Sequence, residues 1–256
     1  MSDWNPKTYS KFVGVRLRPA VDLAMRLAPR DAINIVDLGC GTGIVGAILR
    51  TRFVNSHLTG VDTSPAMLQE AWNTGDYDAL QETDIATWSA KPAPDLIFSN
   101  AALHWVPDHA TLLPALVDQL APGGTLAVQV PNQNKAPSHR LWYDLAEQHF
   151  PGRVNRQASP SIPDPAQTWD ILENLGKLSI WETEYFQHLA ASDIAHPVRQ
   201  FTVSTFARPV LDALDPDEQE VLGRLYDETM EVAYPRRSDG TVLFPFRRLF
   251  YTLTRA

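Results

Sequence analysis

A glycine-rich turn directly after an apolar segment constrains this sequence more than any other feature. Residues 33–38 are I-N-I-V-D-L, and glycines then occupy every second position, at Gly39, Gly41 and Gly43. Because glycine has no Cβ, the chain can turn tightly there and let a ligand touch its backbone. A strand, a glycine turn and a helix are typical of the nucleotide-binding start of a doubly wound α/β sheet. The alternative is a glycine turn that holds no ligand.

The next hundred residues predict strands that alternate with helices. Apolar segments predict further strands at 57–62, 77–84, 94–100 and 125–130. Ser64 and Pro65 are suited to the cap and first position of an intervening helix. Short connections of this kind give a parallel sheet, whose ligands bind at the carboxyl ends of the strands. The polar side chains at those ends are Asp37, Asp62, Asp84 and Asn100.

The second half of the chain is less regular. Helices are predicted at 136–150, 165–175, 192–204 and 216–234, and strands at 178–189 and 241–254. We interpret residues 1–256 as a single domain with five parts. These are an N-terminal helical cap at 1–30 with two short helices meeting near Pro19, a cofactor-binding core at 31–131, substrate-covering insertions at 132–176 and 190–240, and a terminal strand at 241–256.

Composition and net charge limit the kinds of partner that the protein is expected to bind. The 256 residues carry a net charge of -8, which gives no general attraction to nucleic acid or to anionic membranes. No apolar run approaches the roughly 18 residues of a membrane span, and the first residues lack a secretory pattern. The single cysteine, Cys40, cannot form an internal disulfide. We therefore expect a cytoplasmic protein with a small-molecule partner, and the oligomeric state stays open.

The ligand of the glycine turn is a choice between two cofactors. Gly41, Gly43 and Gly46 match the G-x-G-x-x-G pattern of nicotinamide dinucleotide sites. However, Asp37 lies beside the turn, where a carboxylate would repel a pyrophosphate and would suit an ammonium group. A ligand with ammonium, ribose and adenine groups but no phosphate is S-adenosylmethionine, which we favour over the dinucleotide of a dehydrogenase.

Several segments resemble known methyltransferases. Those similar to class I S-adenosylmethionine-dependent methyltransferases are D-L-G-C-G-T-G at 37–43, V-D-T-S-P-A-M-L at 61–68, F-S-N-A-A-L-H-W-V-P-D at 98–108 and L-A-P-G-G-T-L at 120–126. More selective segments resemble the trans-aconitate 2-methyltransferase family: W-N-P-x-x-Y-x-x-F at 4–12, R-x-R-P-A-V-D-L at 16–23, T-F-A-R-P at 205–209 and D-G-T-V-L-F-P-F-R-R-L-F at 239–250. The resemblance covers essentially the whole chain and is weakest at 133–167.

This resemblance implies a Rossmann-like, seven-stranded, mostly parallel sheet whose last strand is antiparallel, with helical substrate-covering insertions. It also implies a set of cofactor-binding residues: Asp37, Gly39, Gly41, Asp62, Met67, Asp84, Ile85 and Asn100. In this assignment Asp62 accepts hydrogen bonds from the ribose hydroxyls, and Asp84 and Ile85 flank the adenine. The glycine backbone lines the methionine portion, and Asn100 contacts its amino end.

The acceptor implied by the resemblance is a polycarboxylate. The substrate-binding candidates are Tyr9, Arg16, His104, Trp105, Arg208 and Arg248, with Arg18, Arg140 and Arg247 as further cations. Arginine suits this task because its planar fork binds carboxylates through two hydrogen bonds. Arg247 and Arg248 are neighbours on a predicted strand and so point to opposite faces, and we prefer Arg248. A carboxylate is already ionised at neutral pH. We therefore name no catalytic acid or base and no metal ligand, and His104 would act as a base only for a hydroxyl or amine acceptor.

The expected reaction is methyl transfer from S-adenosylmethionine to a carboxylate of trans-aconitate, which gives the monomethyl ester and S-adenosylhomocysteine. One alternative is a methyltransferase for another small or carrier-linked carboxylic acid. A carrier-linked acceptor calls for a basic docking face, which the acidic net charge does not support. The other alternative is an S-adenosylmethionine-binding module without catalysis.

Overall fold

Two compact units make up the structure, a computed structural model that describes residues 13–30, 33–156, 159 and 162–256, with side chains from residue 17 onward. Unit 1 comprises the described residues of Met1–Pro131, Ile162–Thr183 and Arg248–Ala256. Unit 2 comprises those of Asn132–Ser161 and Glu184–Arg247. In the described part of the chain, no helix is both long enough and apolar enough to cross a membrane.

The described residues form one seven-stranded sheet in the order β3-β2-β1-β4-β5-β7-β6. Its strands are β1 (Asn34–Leu38), β2 (His57–Asp62), β3 (Ala79–Glu82), β4 (Leu96–Asn100), β5 (Thr125–Pro131), β6 (Gly176–Leu189) and β7 (Val242–Arg255). Strands β1 to β5 pair in parallel, and β7 pairs antiparallel to β5 with Gln129 opposite Phe250. The predicted fold class, including the antiparallel last strand, is confirmed.

Helices follow β1, β2, β4 and β5 as predicted, whereas β3 and β4 are joined by residues 83–95 without a helix. They are α1 (Val13–Arg26), α2 (Gly46–Arg52), α3 (Pro65–Asn73), α4 (His109–Asp118), α5 (Pro137–His149), α6 (Pro165–Leu172), α7 (Pro197–Val203), α8 (Arg208–Leu211) and α9 (Pro216–Ala233). A short 3-10 helix spans Leu103–Trp105. The Ser64 hydroxyl caps α3 by accepting a hydrogen bond from the Met67 N–H group. Asp108 caps α4 in the same way, so polar residues fix where these helices begin.

One prediction about the N-terminal segment is wrong. Residues 13–26 form a single helix that continues through Pro19, rather than two helices that meet there. Proline in a helix interior removes one backbone hydrogen bond and costs about 3 kcal/mol. Pro19 and the following Ala20, Leu23 and Ala24 are buried. Burial of this apolar stripe offsets the lost hydrogen bond, because tertiary packing contributes most of a helix's stability.

An apolar core holds the central strands of unit 1 in place. Val36, Leu38, Val61 and Ile97 belong to a buried cluster that also includes Leu113 and Leu116 on α4. Strand β1 is buried along almost its whole length, as expected for a parallel strand covered on both faces. Since these strands are fixed by packing on either side, their carboxyl ends form a rigid edge for the turns that follow.

Unit 2 has a core of its own. The ring of Trp142 on α5 stacks on Tyr226 of α9 with 4.0 Å between centroids. The Tyr226 hydroxyl donates a 2.6 Å hydrogen bond to the Ser138 carbonyl, and the Trp142 indole N–H donates to the Thr202 hydroxyl. Both buried rings therefore have partners for their polar atoms. The division of the chain into a core and substrate-covering insertions stays a prediction.

Candidate functional site

The glycine turn after β1 is tied to the end of β2 by one carboxylate. Gly39, Gly41 and Gly43 all have positive φ, at 81°, 55° and 79°. The Gly41 N–H group donates a 2.9 Å hydrogen bond to Asp62 Oδ2, and the Ser64 N–H group donates to Oδ1 at 3.0 Å. Each carboxylate oxygen can accept more than one hydrogen bond. Asp62 therefore fixes the turn and can still accept two hydroxyl groups of a ligand.

Two glycines of this turn have opposite surroundings. A Cβ at Gly39 would lie 2.2 Å from the Ala102 Cβ, so only glycine fits between β1 and the segment after β4. A Cβ at Gly41 would have no atom of the described residues within 4 Å, apart from its own chain neighbours. Gly39 thus allows close packing, and Gly41 presents bare backbone to open space. An open backbone beside a carboxylate is what a nucleoside ligand requires.

Asp37, at the fourth residue of β1, is almost completely enclosed. Only 1% of its surface is exposed, and Oδ2 accepts a 2.6 Å hydrogen bond from the Tyr77 hydroxyl. Burial raises the pKa of Asp37 to about 7, and the nearby charge of Asp62 contributes, while the Tyr77 hydrogen bond acts in the opposite direction. The sequence predicted a plain carboxylate. In the structure, burial favours the neutral form of this carboxyl far more than in an exposed aspartate.

The end of β4 approaches the glycine turn from the other side. Ser99 donates its hydroxyl hydrogen to the Leu38 carbonyl at 2.7 Å, which joins β4 to β1. Asn100 follows, and its Oδ1 atom is buried without a hydrogen-bond partner among the described residues. The chain then leaves the sheet through Ala101, whose φ is 54°. A buried acceptor without a donor is costly, and a ligand with N–H groups would satisfy it.

The remaining predicted cofactor residues also lie in unit 1. Asp84 is exposed beyond β3, and its Oδ1 atom accepts a 2.9 Å hydrogen bond from the Ala86 N–H group. Ile85 is buried, and its Cδ1 atom lies 3.5 Å from the place of a Cβ on Gly39. The Met67 side chain is buried in the first turn of α3. All eight residues therefore follow or end strands β1 to β4, or begin α3, and their ligand contacts stay predictions.

The predicted substrate residues are more scattered. His104 and Trp105 lie on the 3-10 helix, with ring centroids 5.0 Å apart. Arg248 lies on β7 opposite Pro131 and is only 4% exposed, whereas the neighbouring Arg247 is exposed. Arg208 is half-buried at the start of α8 in unit 2. Tyr9 lies outside the described residues, and for Arg16 only the backbone, within α1, is described.

Unit 2 contains a cavity of about 270 Å³ that the sequence did not reveal. Its lining includes Arg140 and Arg156, which both form ion pairs with Asp144. The Arg156 guanidinium also lies 5.8 Å from the centre of the Tyr143 ring. His139 completes one wall, where its ring packs 4.2 Å from Phe206. Two guanidinium groups that share one carboxylate leave positive charge, which suits a small anion.

The full-length comparison decides the family. A family described as a methyltransferase domain matches residues 11–192. The trans-aconitate 2-methyltransferase of Methylobacterium radiotolerans is 41% identical over 271 aligned residues, which cover 100% of both chains. The chain belongs to the trans-aconitate 2-methyltransferase family. The Escherichia coli O1:K1 / APEC member of the trans-aconitate 2-methyltransferase family is 38% identical and aligns over 100% of this chain and 99% of its own.

Solved structures agree on the fold. The YcgJ protein from Bacillus subtilis superposes with a TM-score of 0.60 at 12% identity, over 93% of this chain and 99% of that one. At such low identity the likeness shows the fold alone. This member of the trans-aconitate 2-methyltransferase family therefore shares its sheet architecture with distantly related proteins.

Sequence reasoning missed two features of the site. Tyr77 precedes a short edge strand and carries no motif, so nothing in the sequence connected it with Asp37. Gln129 lies in the middle of the apolar segment T-L-A-V-Q-V, where the only signal was one amide among β-branched and aliphatic residues. In the structure Gln129 is fully buried beside Asn100.

Proposed function

We propose that this protein transfers a methyl group from S-adenosylmethionine to one carboxylate of trans-aconitate, giving the monomethyl ester and S-adenosylhomocysteine. One observation carries the proposal: a trans-aconitate 2-methyltransferase is 41% identical over the whole of both chains. The alignment with this relative includes both ends of the sequence, where the W-N-P and F-P-F-R-R segments lie.

The residues around the glycine turn fit S-adenosylmethionine better than a dinucleotide. The open backbone at Gly41 leaves room for the ligand, and Asp62 retains lone pairs for ribose hydroxyls. The Asn100 Oδ1 atom can accept a hydrogen bond from an ammonium group. Asp37 and Asp62 place acidic groups beside the turn, which disfavours a pyrophosphate. Asp62 and Gly41 would therefore hold the nucleoside, and Asn100 the amino-acid end.

The proposed reaction does not require a general acid or a general base. When bound, S-adenosylmethionine supplies a methyl carbon on a sulfonium sulfur, which departs with the bonding electron pair as the new carbon–oxygen bond forms. Since the acceptor carboxylate is already ionised, no proton has to be removed. The protein's residues align the acceptor with that carbon and exclude water from its oxygens. His104 and Trp105 shape the site, and the indole ring of Trp105 attracts positive charge.

Arginine side chains are our candidates for holding the other carboxylates. Arg248 is proposed first, because it is buried at the carboxyl end of β5, opposite Pro131. Arg208, and separately the cavity with Arg140 and Arg156, are independent candidates in unit 2. Variants of Arg248 and of Arg208 test these two arginines separately.

The test is product identification. The protein is incubated with S-adenosylmethionine carrying a deuterated methyl group and with trans-aconitate, and the products are separated by mass spectrometry. We expect a monoester that has gained the labelled methyl group, together with one S-adenosylhomocysteine per ester. Binding of S-adenosylhomocysteine without any ester would refute the enzymatic proposal and would favour a binding module.

A further inference from the structure

Gln129 is a buried amide in the sheet of unit 1. It is fully buried on β5, yet neither Oε1 nor Nε2 has a hydrogen-bond partner among the described residues. Its surroundings along the strand are apolar, with Val128 and Val130 buried on either side and Phe250 opposite on β7. An unsatisfied buried amide destabilises a protein, so an aliphatic residue would serve packing better. Its presence points to a ligand.

The neighbouring strand carries a second unsatisfied group at the same level. Asn100 on β4 is the parallel register partner of Gln129, so the two side chains lie on the same face of the sheet. Asn100 Oδ1 is also buried without a partner in the described part of the chain. The backbones are joined as well, because the Ala101 N–H group donates a 2.8 Å hydrogen bond to the Gln129 carbonyl. Asn100 is half-buried, which gives the pair access to the carboxyl edge of the sheet.

The hydrogen-bonding capacity of this pair selects the chemistry of its ligand. Two carbonyl oxygens, Asn100 Oδ1 and Gln129 Oε1, require donors, and Gln129 Nε2 requires an acceptor. A carboxylate alone would leave both oxygens unsatisfied, because it cannot donate. An ammonium group satisfies both oxygens, and a carboxylate on the same carbon satisfies the amide N–H₂ group. The complementary ligand is therefore an α-amino acid in its zwitterionic form.

We propose that Gln129, together with Asn100, binds the α-amino-acid end of the methyl donor. This inference rests on the proposed function, since it assumes S-adenosylmethionine as the ligand of unit 1. It assigns to β5 a binding residue that no motif of the glycine turn includes. It also explains an otherwise unfavourable buried amide, because the ligand would supply its hydrogen-bond partners.

The test uses calorimetry with two ligands and a shape-matched variant. Gln129→Met keeps the length of the side chain and removes its hydrogen bonds. We expect S-adenosylhomocysteine to bind about tenfold to a hundredfold more weakly to Gln129→Met, because hydrogen bonds to charged groups are lost. We expect 5′-methylthioadenosine, which lacks the amino-acid end, to bind both proteins equally. The melting temperature of the ligand-free variant should not fall, since methionine removes an unsatisfied amide from the core.

A second buried glutamine supplies the control. Gln133 is buried as well, but its Nε2 donates to the Pro245 carbonyl at 2.8 Å and its Oε1 accepts from the Arg247 N–H group at 3.2 Å. Gln133→Met should therefore lower the melting temperature and leave S-adenosylhomocysteine binding unchanged.

Three results would overturn the inference. They are unchanged S-adenosylhomocysteine affinity in Gln129→Met, an equal loss for both ligands, or a higher KM for the acceptor alone. In each of these, a wild-type protein that binds S-adenosylhomocysteine and forms ester keeps the proposed function. If the wild-type protein binds no S-adenosylhomocysteine, both the inference and the proposed function are refuted.

Discussion

The Tyr77 hydroxyl donates a 2.6 Å hydrogen bond to Asp37 Oδ2 across 40 residues of sequence. This contact connects the segment before β3 with the end of β1, beside the glycine turn. Burial raises the pKa of Asp37 to about 7, and the hydrogen bond from Tyr77 partly opposes this rise. Asp37 therefore changes its charge within the physiological range of pH, next to the proposed cofactor site.

Asp37 should make the stability of the protein fall as the pH rises from 5 to 7. The pKa of Asp37 is about 7 in the folded state and 3.8 ordinarily, so over this range the unfolded chain loses a proton that the folded chain keeps. The resulting loss is about 2 kcal/mol between pH 5 and pH 7 and levels off above pH 7. Asp37→Asn removes this contribution. Urea unfolding at several pH values should show the variant gaining stability relative to wild type as the pH rises.

Tyr77→Phe provides the complementary variant. Loss of the hydrogen bond that lowers the pKa of Asp37 should raise that pKa further, so the fall in stability should extend to higher pH. Parallel stability curves for wild type, Asp37→Asn and Tyr77→Phe would contradict the assignment of a raised pKa to Asp37.

Two glycine variants should separate packing from ligand binding. In Gly39→Ala, the new methyl group would overlap Ala102 at 2.2 Å at a φ of 81°, so we expect a loss of at least about 3 kcal/mol in stability. In Gly41→Ala, the new methyl group would lie more than 4 Å from every non-neighbouring atom of the described residues, and the positive φ alone costs about 1 kcal/mol. The Gly41→Ala protein should nevertheless lose S-adenosylhomocysteine affinity by tenfold or more in calorimetry. Tight binding by folded Gly41→Ala would exclude the space above Gly41 as the cofactor site.

Adjacent arginines on β7 offer a matched pair of variants. Arg248→Lys keeps the charge of a buried side chain but removes the planar fork that grips a carboxylate, whereas Arg247→Lys changes an exposed one. We expect Arg248→Lys to raise the KM for trans-aconitate about tenfold, with little change in S-adenosylhomocysteine affinity. Arg247→Lys should behave as wild type in steady-state kinetics. Equal effects of the two substitutions would remove Arg248 from the acceptor site.

Arg208 in unit 2 is tested in the same assay. If its guanidinium binds a carboxylate of the acceptor, Arg208→Ala should raise the apparent KM for a tricarboxylic acid and leave cofactor binding unaffected. Because Arg208 is half-buried at the start of a four-residue helix, the melting temperature of the variant is measured alongside. Unchanged kinetics in a folded variant would exclude Arg208 from substrate binding.

The features that could be predicted from the sequence are those set by local rules. The bounds of β2, the Ser64 cap and the Pro65 start of α3 follow from apolar pattern and capping chemistry, and the structure reproduces them. The pattern of strands and helices, together with the family resemblance, was sufficient to predict the seven-stranded sheet. The predicted helix break at Pro19 is wrong because burial of the surrounding apolar stripe outweighs the tendency of proline to end a helix.

The unpredicted features all depend on contacts between distant residues. The Asp37–Tyr77 pair joins residues 40 positions apart, and the pairing of Gln129 with Asn100 requires the register of β4 and β5. The cavity in unit 2 requires residues 134–159 and Phe206 to come together in space. Neither periodicity nor motif spacing contains this information, so these groups became visible only in the folded chain.

The central claim is tested most directly by comparing kcat/KM for trans-aconitate, cis-aconitate, citrate and isocitrate at saturating S-adenosylmethionine. We expect ester formation with every transferred methyl group on a carboxylate oxygen and with trans-aconitate preferred by at least about tenfold, a difference of roughly 1.4 kcal/mol in transition-state binding. Methyl transfer that is equally fast with all four acids, or absent with all of them while S-adenosylhomocysteine still binds, would contradict it.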